Sequence, residues 1–237
     1  MPKTAQMPTG STRLIWSGLV FLSAFAALTV PASEVTSAAW PRGEDKSFVA
    51  LSYESTVDGP DFGDYGAFYY EYGVTEKLTF GLDIGKSRDA GQVSAIAFLR
   101  YPLGAPEGDN VFAAELGLGW AERDGSAVAA LRPGLSWGRP VSGAWGNGWL
   151  GVESTYALYE DGEGLGKIDS SFGINHANGN LSIFKLEFAA PSDGDETLVF
   201  APSHVVKVSE NSFLEFGLSH EFTDSVTKVK VGVWHSF

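Results

Sequence analysis

Nucleophilic hydrolysis needs a serine within hydrogen-bond reach of a histidine that a third group orients. The chain has four histidines, His176, His204, His220 and His235, and three of them stand beside a serine, in Ser203-His204, Ser219-His220 and His235-Ser236. Each pair lies in a run that alternates apolar and polar residues. Neighbours on an extended strand point to opposite faces, so the two members of a pair cannot meet. A meeting across strands, such as Ser219 with an inward group of the next strand, is left open by the residues. No His-x-Ser spacing occurs, and no catalytic role is expected.

Clustered hard oxygens are the second candidate chemistry. Asp58-Gly59-Pro60-Asp61 with Asp64, Glu160-Asp161-Gly162-Glu163 and Asp193-Gly194-Asp195-Glu196 each offer several carboxylates. Calcium takes six to eight oxygen ligands, and none of these clusters follows the twelve-residue EF-hand spacing. Solvated acidic turns explain them as well, and the expectation is no metal and no organic cofactor. Divalent cations bridging such loops to lipopolysaccharide phosphates remain the minority reading.

The third set of residues bears on a pore. Glu54, Glu71, Asp83, Arg100, Glu115, Arg132, Glu153, Asp169, Lys185, Glu187, Glu215, Glu221, Lys228 and Lys230 all fall on the polar parity of alternating runs. Of these, Glu71, Asp83, Arg100, Glu115, Arg132, Glu153, Lys185, Glu187 and Glu215 are the candidate lumen-lining residues. In a dry interior such charges are costly unless paired, whereas water in the lumen would solvate them. Glycines at 73, 81, 85, 117, 119, 134, 151, 173, 217 and 232 share that face. By removing side-chain volume they are expected to favour a narrow water path, the competing reading being a charge network that plugs the interior.

These residues need strands to hold them. Phe68, Tyr70, Tyr72 and Val74 alternate with Ala67, Tyr69, Glu71 and Gly73, and Leu78, Phe80, Leu82 and Ile84 alternate with Thr79, Gly81, Asp83 and Gly85. Three residues separate these two runs, which makes them a hairpin. Equivalent runs predict strands near 47–56, 65–74, 78–87, 93–101, 111–120, 128–138, 148–159, 167–176, 181–190, 197–208, 213–222 and 228–237. That is twelve strands, with ten or eight as alternatives because Pro133 and Pro202 interrupt two runs. Each run is near the roughly 9 to 11 residues that a tilted strand needs to cross a membrane. Arg139 to Asn147 is expected to be one of the longer connections.

The final run, Lys228 to Phe237, places Val229, Val231, Val233, His235 and Phe237 on one face. A last strand of this kind is expected to pair with the first and leave no edge in lipid. Tyr53, Tyr70, Tyr72, Tyr101, Trp120, Trp137, Tyr156, Phe222 and Phe237 fall on the apolar parity near strand ends, as an interfacial girdle would. A soluble sandwich would also alternate, but with more lysine and glutamate and fewer glycines on its polar face. The fold expected is therefore all-β: a closed, antiparallel, up-and-down transmembrane barrel.

Lys3 and Arg13 precede the apolar stretch Leu14 to Val30, and small residues follow at Ala32, Ser37, Ala38 and Ala39. This order reads as a secretory leader over 1–39 that is removed, with a cut after Ala32 and a retained membrane anchor as the alternatives, followed by a short periplasmic segment over 40–46 and the barrel over 47–237. Glycine or charge interrupts every later apolar stretch, so any membrane crossing is by strands. The chain has no cysteine, so no disulfide framework holds the exported protein. A net charge of -13 argues against nucleic acid as a partner.

The leader, the evenly spaced amphipathic runs, the short turn Gly73-Val74-Thr75-Glu76-Lys77-Leu78 and the terminal V-x-V-x-V-x-H-x-F strand together resemble the outer-membrane β-barrel proteins of Gram-negative bacteria. The likeness covers roughly 40–237 and points to no particular subfamily. It implies that the barrel-assembly machinery reads Val229, Val231, Val233, His235 and Phe237. His235 is a mild departure, since an aromatic often stands there. It also implies residence in the outer membrane among its lipid and lipopolysaccharide. The lipid A deacylases and outer-membrane phospholipases of that membrane carry His-x-Ser, which this chain lacks. The function expected is a small porin-like channel with a net acidic lumen for cations or small solutes. A non-conducting structural or interaction barrel with acidic surface loops is the alternative, and a lipid-modifying enzyme comes third.

Overall fold

The computed structural model describes residues 39–59, 63–87, 92–104, 109–123 and 125–237. Asp61 and the leader up to Ala38 lie outside the described residues. Twelve strands follow in chain order: β1 (Ser47–Asp58), β2 (Tyr65–Gly73), β3 (Thr79–Ser87), β4 (Val93–Pro102), β5 (Val111–Arg123) and β6 (Ser126–Gly143) form the first half. The second half is β7 (Gly146–Tyr159), β8 (Gly164–Asn175), β9 (Leu181–Pro191), β10 (Thr197–Lys207), β11 (Ser212–Glu221) and β12 (Val226–Ser236). Each pairs antiparallel with its sequence neighbours, and β1 pairs with β12 to close the barrel. No helix among the described residues is long and apolar enough to cross a membrane.

The seam runs from Phe48 opposite Ser236 through Tyr53 opposite Val231 to Thr56 opposite Lys228. Beyond the last strand residue, the Phe237 N–H donates to the Ser47 carbonyl at 2.9 Å and the Ser47 N–H to the Phe237 carbonyl at 3.3 Å. Edge groups at this end of the seam are thereby satisfied within the chain.

Observed strand ends agree with the expected ones to within three residues except at the end of β6, which runs on to Gly143. The long connection expected over Arg139 to Asn147 is in fact a two-residue turn, Ala144-Trp145, between paired strands. Gly146 closes it at φ +112°, a conformation that side chains seldom adopt. The alternating pattern weakens over Arg139-Pro140-Val141-Ser142, which is why the pairing there was not evident from the residues.

Neither proline breaks the barrel. Pro133 pairs with Leu116 of β5, while the register toward β7 passes from Leu131 to Gly134. Pro202 pairs with Phe184 of β9, while the register toward β11 passes from Phe200 to Ser203. Each proline thus turns its missing donor toward a local gap in one ladder and keeps the other intact.

One face of each strand is apolar, exposed on most strands and half-buried on β2 and β3. Leu51, Leu99, Leu118, Leu135, Phe184, Phe216 and Val231 stand out from seven different strands. In water such a belt would be a severe liability, and in hydrocarbon it is the favourable surface. Val229, Val231 and Val233 belong to it. The His235 ring meets Phe237 edge-on at 4.4 Å and bonds Ser212 at 2.8 Å. Leu118, 62 % exposed on the long strand β5, tests the belt. Leu118→Arg should destabilise the barrel by about 2–4 kcal/mol in lipid vesicles, measured by denaturant unfolding, and unchanged stability would contradict lipid contact there.

Candidate functional site

Ion pairs between strands that are not neighbours identify the inward face. Arg132 on β6 reaches Asp83 on β3 at 2.6 Å, a contact that only the barrel interior allows. Carrying this parity around the register places Glu54, Glu71, Arg100, Glu115, Glu153, Asp169, Lys185, Glu187, Glu215, Glu221, Lys228 and Lys230 on the same face.

Five of the candidate lumen residues form one alternating chain of charge. Arg100 donates to Glu71 and, through Nη2, to Glu115 Oε2 at 2.8 Å. Arg132 donates from Nη2 to Glu115 Oε1 at 3.1 Å and from Nη1 to Asp83. The Tyr69 hydroxyl donates to Glu71 Oε1 at 2.6 Å. Phe98 supports the ladder, its ring centroid 4.8 Å from the Arg100 guanidinium carbon and 5.9 Å from that of Arg132. Glu71, Arg100 and Glu115 are all buried. Buried charges persist only when paired with good geometry, and here every carboxylate of the ladder touches a guanidinium.

Lys185, Glu187 and Glu215 lie on the opposite wall, apart from that ladder. With Glu54, Glu221, Lys228 and Lys230 they line a cavity of about 110 Å³. Lys230 Nζ stands 3.3 Å from Glu215 Oε1, and the Ser219 hydroxyl donates to Glu54 at 3.3 Å. Glu221 and Val226, at the β11–β12 turn, carry the lining to the barrel end opposite Ser47 and Phe237. Glu153 lies between the two groups, with Ser136 and Asp169 as its register partners.

The end that carries Ser47 and Phe237 is filled by apolar side chains. Phe48, Trp149, Leu181, Ile183 and Val205 pack together from four strands, with Trp40, Tyr69, Phe213 and Trp234 against them. This corrects the expectation that inward glycines leave room for water. A Cβ on Gly81 would collide with the Phe98 ring, one on Gly173 with the Trp149 ring, and one on Gly117 with Ile96. Glycine on the inner wall therefore makes seats for large side chains on neighbouring strands.

The residues missed from sequence belong to this end. The stretch 40–46, expected to be a plain periplasmic segment, turns into the barrel: Trp40 lies against Gly138, and Arg42 pairs with Glu71. Phe48, Trp149 and Trp234 were visible on the inward parity, but large apolar residues there conflict with a lumen assumed to be wet.

The histidines do meet hydroxyls, across strands and on the outer face. Ser182 Oγ lies 2.8 Å from His176 Nε2 and 3.1 Å from His204 Nδ1, and Thr227 Oγ1 is 2.9 Å from His220 Nδ1. Among the described residues no three His, Cys, Asp or Glu side chains are grouped to hold a metal ion. In the β7–β8 turn, Asp161 and Glu163 instead pair with Arg123, at 2.8 and 3.2 Å.

No family model matches the chain, and no curated protein is similar to it. The solved structures of the KdgM porin do superpose on it, one with a TM-score of 0.59 at 11% identity, covering 80% of this chain and 99% of that one. The chain shares the closed-barrel fold of that porin. A second KdgM structure, in complex with disordered oligogalacturonate, gives a TM-score of 0.55 at 13% identity over 80% of this chain and 99% of that one. The COG4313 outer membrane channel from Pseudomonas putida F1 gives 0.51 at 12% identity over 86% and 99%.

Removing Arg100 leaves Glu71 and Glu115 buried with fewer partners, so Arg100→Met should destabilise the barrel by about 3–5 kcal/mol, read by denaturant unfolding in vesicles. A loss below about 1 kcal/mol, the value of an exposed pair, would show that water enters the ladder. At the turn, the Glu163 N–H, and then the Arg123 guanidinium, hold the Asp161 carboxyl below the ordinary aspartate value of 3.8. A lowered pKa means that the closed turn is favoured above that value and loses this support as pH falls through the depressed one. Carboxyl NMR should place the Asp161 midpoint below 3.8, and a midpoint at or above it would contradict the staple.

Proposed function

We propose that the protein is an outer-membrane channel for small cations or small neutral solutes, exported by its leader and folded into the membrane from the periplasm. The observation that carries this reading is the cavity among Glu54, Glu187, Glu215 and Glu221, within a closed barrel whose inner wall is charged. A hydrophobic tunnel would exclude ions, whereas carboxylates facing a polar cavity raise the local concentration of cations. A porin-type fold is consistent with this role and does not assign a solute. Outer-membrane lipid and lipopolysaccharide surround the apolar belt in this reading, and the assembly machinery takes hold of the strand that ends in Val229, Val231, Val233, His235 and Phe237.

A second reading, a sealed interaction barrel that presents acidic loops, draws on the apolar cluster around Trp149 that fills one end. A lipid-modifying enzyme has less support, because the cross-strand pairs of histidine and hydroxyl lie on the outer face, with no carboxylate among the described residues bonded to those histidines.

Planar-bilayer recording of the refolded chain separates these readings. Conductance with cation preference is expected, and Glu187→Gln should shift the reversal potential in a KCl gradient toward chloride. Absence of conductance, together with a surface partner that is lost when Asp58, Asp61 and Asp64 are neutralised, would replace the channel by the interaction barrel.

A further inference from the structure

The segment over 40–46 enters the barrel at Trp40 and Arg42 and crosses the rim through the exposed Glu44, Asp45 and Lys46, held by contacts that a loose tail would not make. Ala39 is fully buried. The Asp45 N–H donates to the Gly73 carbonyl at 2.9 Å, the Gly73 N–H returns to the Lys46 carbonyl at 2.9 Å, and the Tyr72 hydroxyl donates to Asp45 at 2.8 Å. The barrel wall is cut back to admit the segment. A Cβ on Gly73 would collide with the Gly43 carbonyl, and one on Gly138 would collide with the Trp40 ring.

The deepest polar group of the segment is Arg42. Its Nε donates to Glu71 Oε2 at 2.9 Å and its Nη2 to the same oxygen. Its guanidinium carbon lies 4.8 Å above the Phe48 ring. Its backbone N–H donates to Thr79 Oγ1 at 3.0 Å, and Thr79 is 1 % exposed. With Arg42 in place, three guanidinium groups balance Glu71, Glu115 and Asp83 along the ladder. Without it, a buried carboxylate loses one of its two cations while the ring face beside it is bared. A planar cation that hydrogen-bonds Glu71 and stacks on Phe48 would restore both contacts, which an ammonium cannot do with the same geometry.

We infer that the 40–46 segment is a displaceable plug, and that Arg42 occupies a guanidinium-binding site formed by Glu71 and Phe48. Solutes bearing a guanidinium group compete for that site. This builds on the channel reading, since the plug lies at the barrel end that a solute would leave or enter.

The chain has no cysteine, so Thr79→Cys introduces a single thiol under the plug. In the refolded full chain, reaction of that thiol with a charged methanethiosulfonate should be slow. Adding Arg42→Gln should accelerate it by about tenfold or more, the factor that a loss of roughly 1.4 kcal/mol gives. Without that second change, methylguanidinium should accelerate labelling of Thr79→Cys protein, while methylammonium at equal ionic strength should not. Equal rates with and without Arg42→Gln would overturn the plug. Equal effects of the two solutes, or none, would overturn the guanidinium site, and this arm holds even should Arg42→Gln protein fail to fold. Bilayer recording of the same proteins is read separately. Faster labelling without any conductance would leave the plug standing and remove the channel.

Discussion

Hydrocarbon offers no partner to a backbone N–H or C=O, so every such group in a lipid-facing strand must be satisfied by another strand. The β1–β12 seam meets that requirement. It is what makes the rest of the structure necessary. Once the sheet closes, alternate residues of all twelve strands are forced into one interior, and the other set is forced outward into a continuous apolar belt. The reciprocal bonds between Ser47 and Phe237 at the end of the seam leave that last pair without a free edge.

The interior then has to accommodate bulk and charge together. Twelve strands enclose more space than eight, whose side chains suffice to fill them, and less than the sixteen that leave an aqueous channel. Here the space is divided. One end is filled by rings seated on glycines, Trp149 over Gly173 and Trp40 over Gly138. One wall carries guanidinium and carboxylate groups in strict alternation from Arg42 to Asp83, which lets buried charges persist. The facing wall keeps its lysines and glutamates around a cavity. In the proposed channel, a path for solute would follow the second wall and meet the apolar cluster and the docked segment at the far end.

Most of the fold was legible because a period of two survives in nearly every strand. Glu71, Asp83, Arg100, Glu115 and Arg132 all stand on one parity of the sequence, and the register keeps them on one face. Which of them pair was not legible, since Arg132 meets Asp83 only through the stagger of strands that are far apart in the chain. The meaning of the inward glycines was misread for a related reason. A glycine reports missing volume, and only the neighbouring strand tells whether water or a ring such as Phe98 fills it. Arg42 was hidden by its position, because seven residues ahead of a first strand carry no periodic pattern that would send them inward.

Site-directed spin labelling in lipid vesicles tests the membrane assignment most directly, with single cysteines placed in turn at Leu51, Leu118, Phe184 and Phe216. These four residues stand on β1, β5, β9 and β11 and all point out of the barrel. The expected result is high accessibility to molecular oxygen and low accessibility to a water-soluble nickel chelate at all four sites. Chelate access comparable to that of an exposed loop at any of them, or immobilised labels packed in a dry core, would contradict a barrel bathed in hydrocarbon.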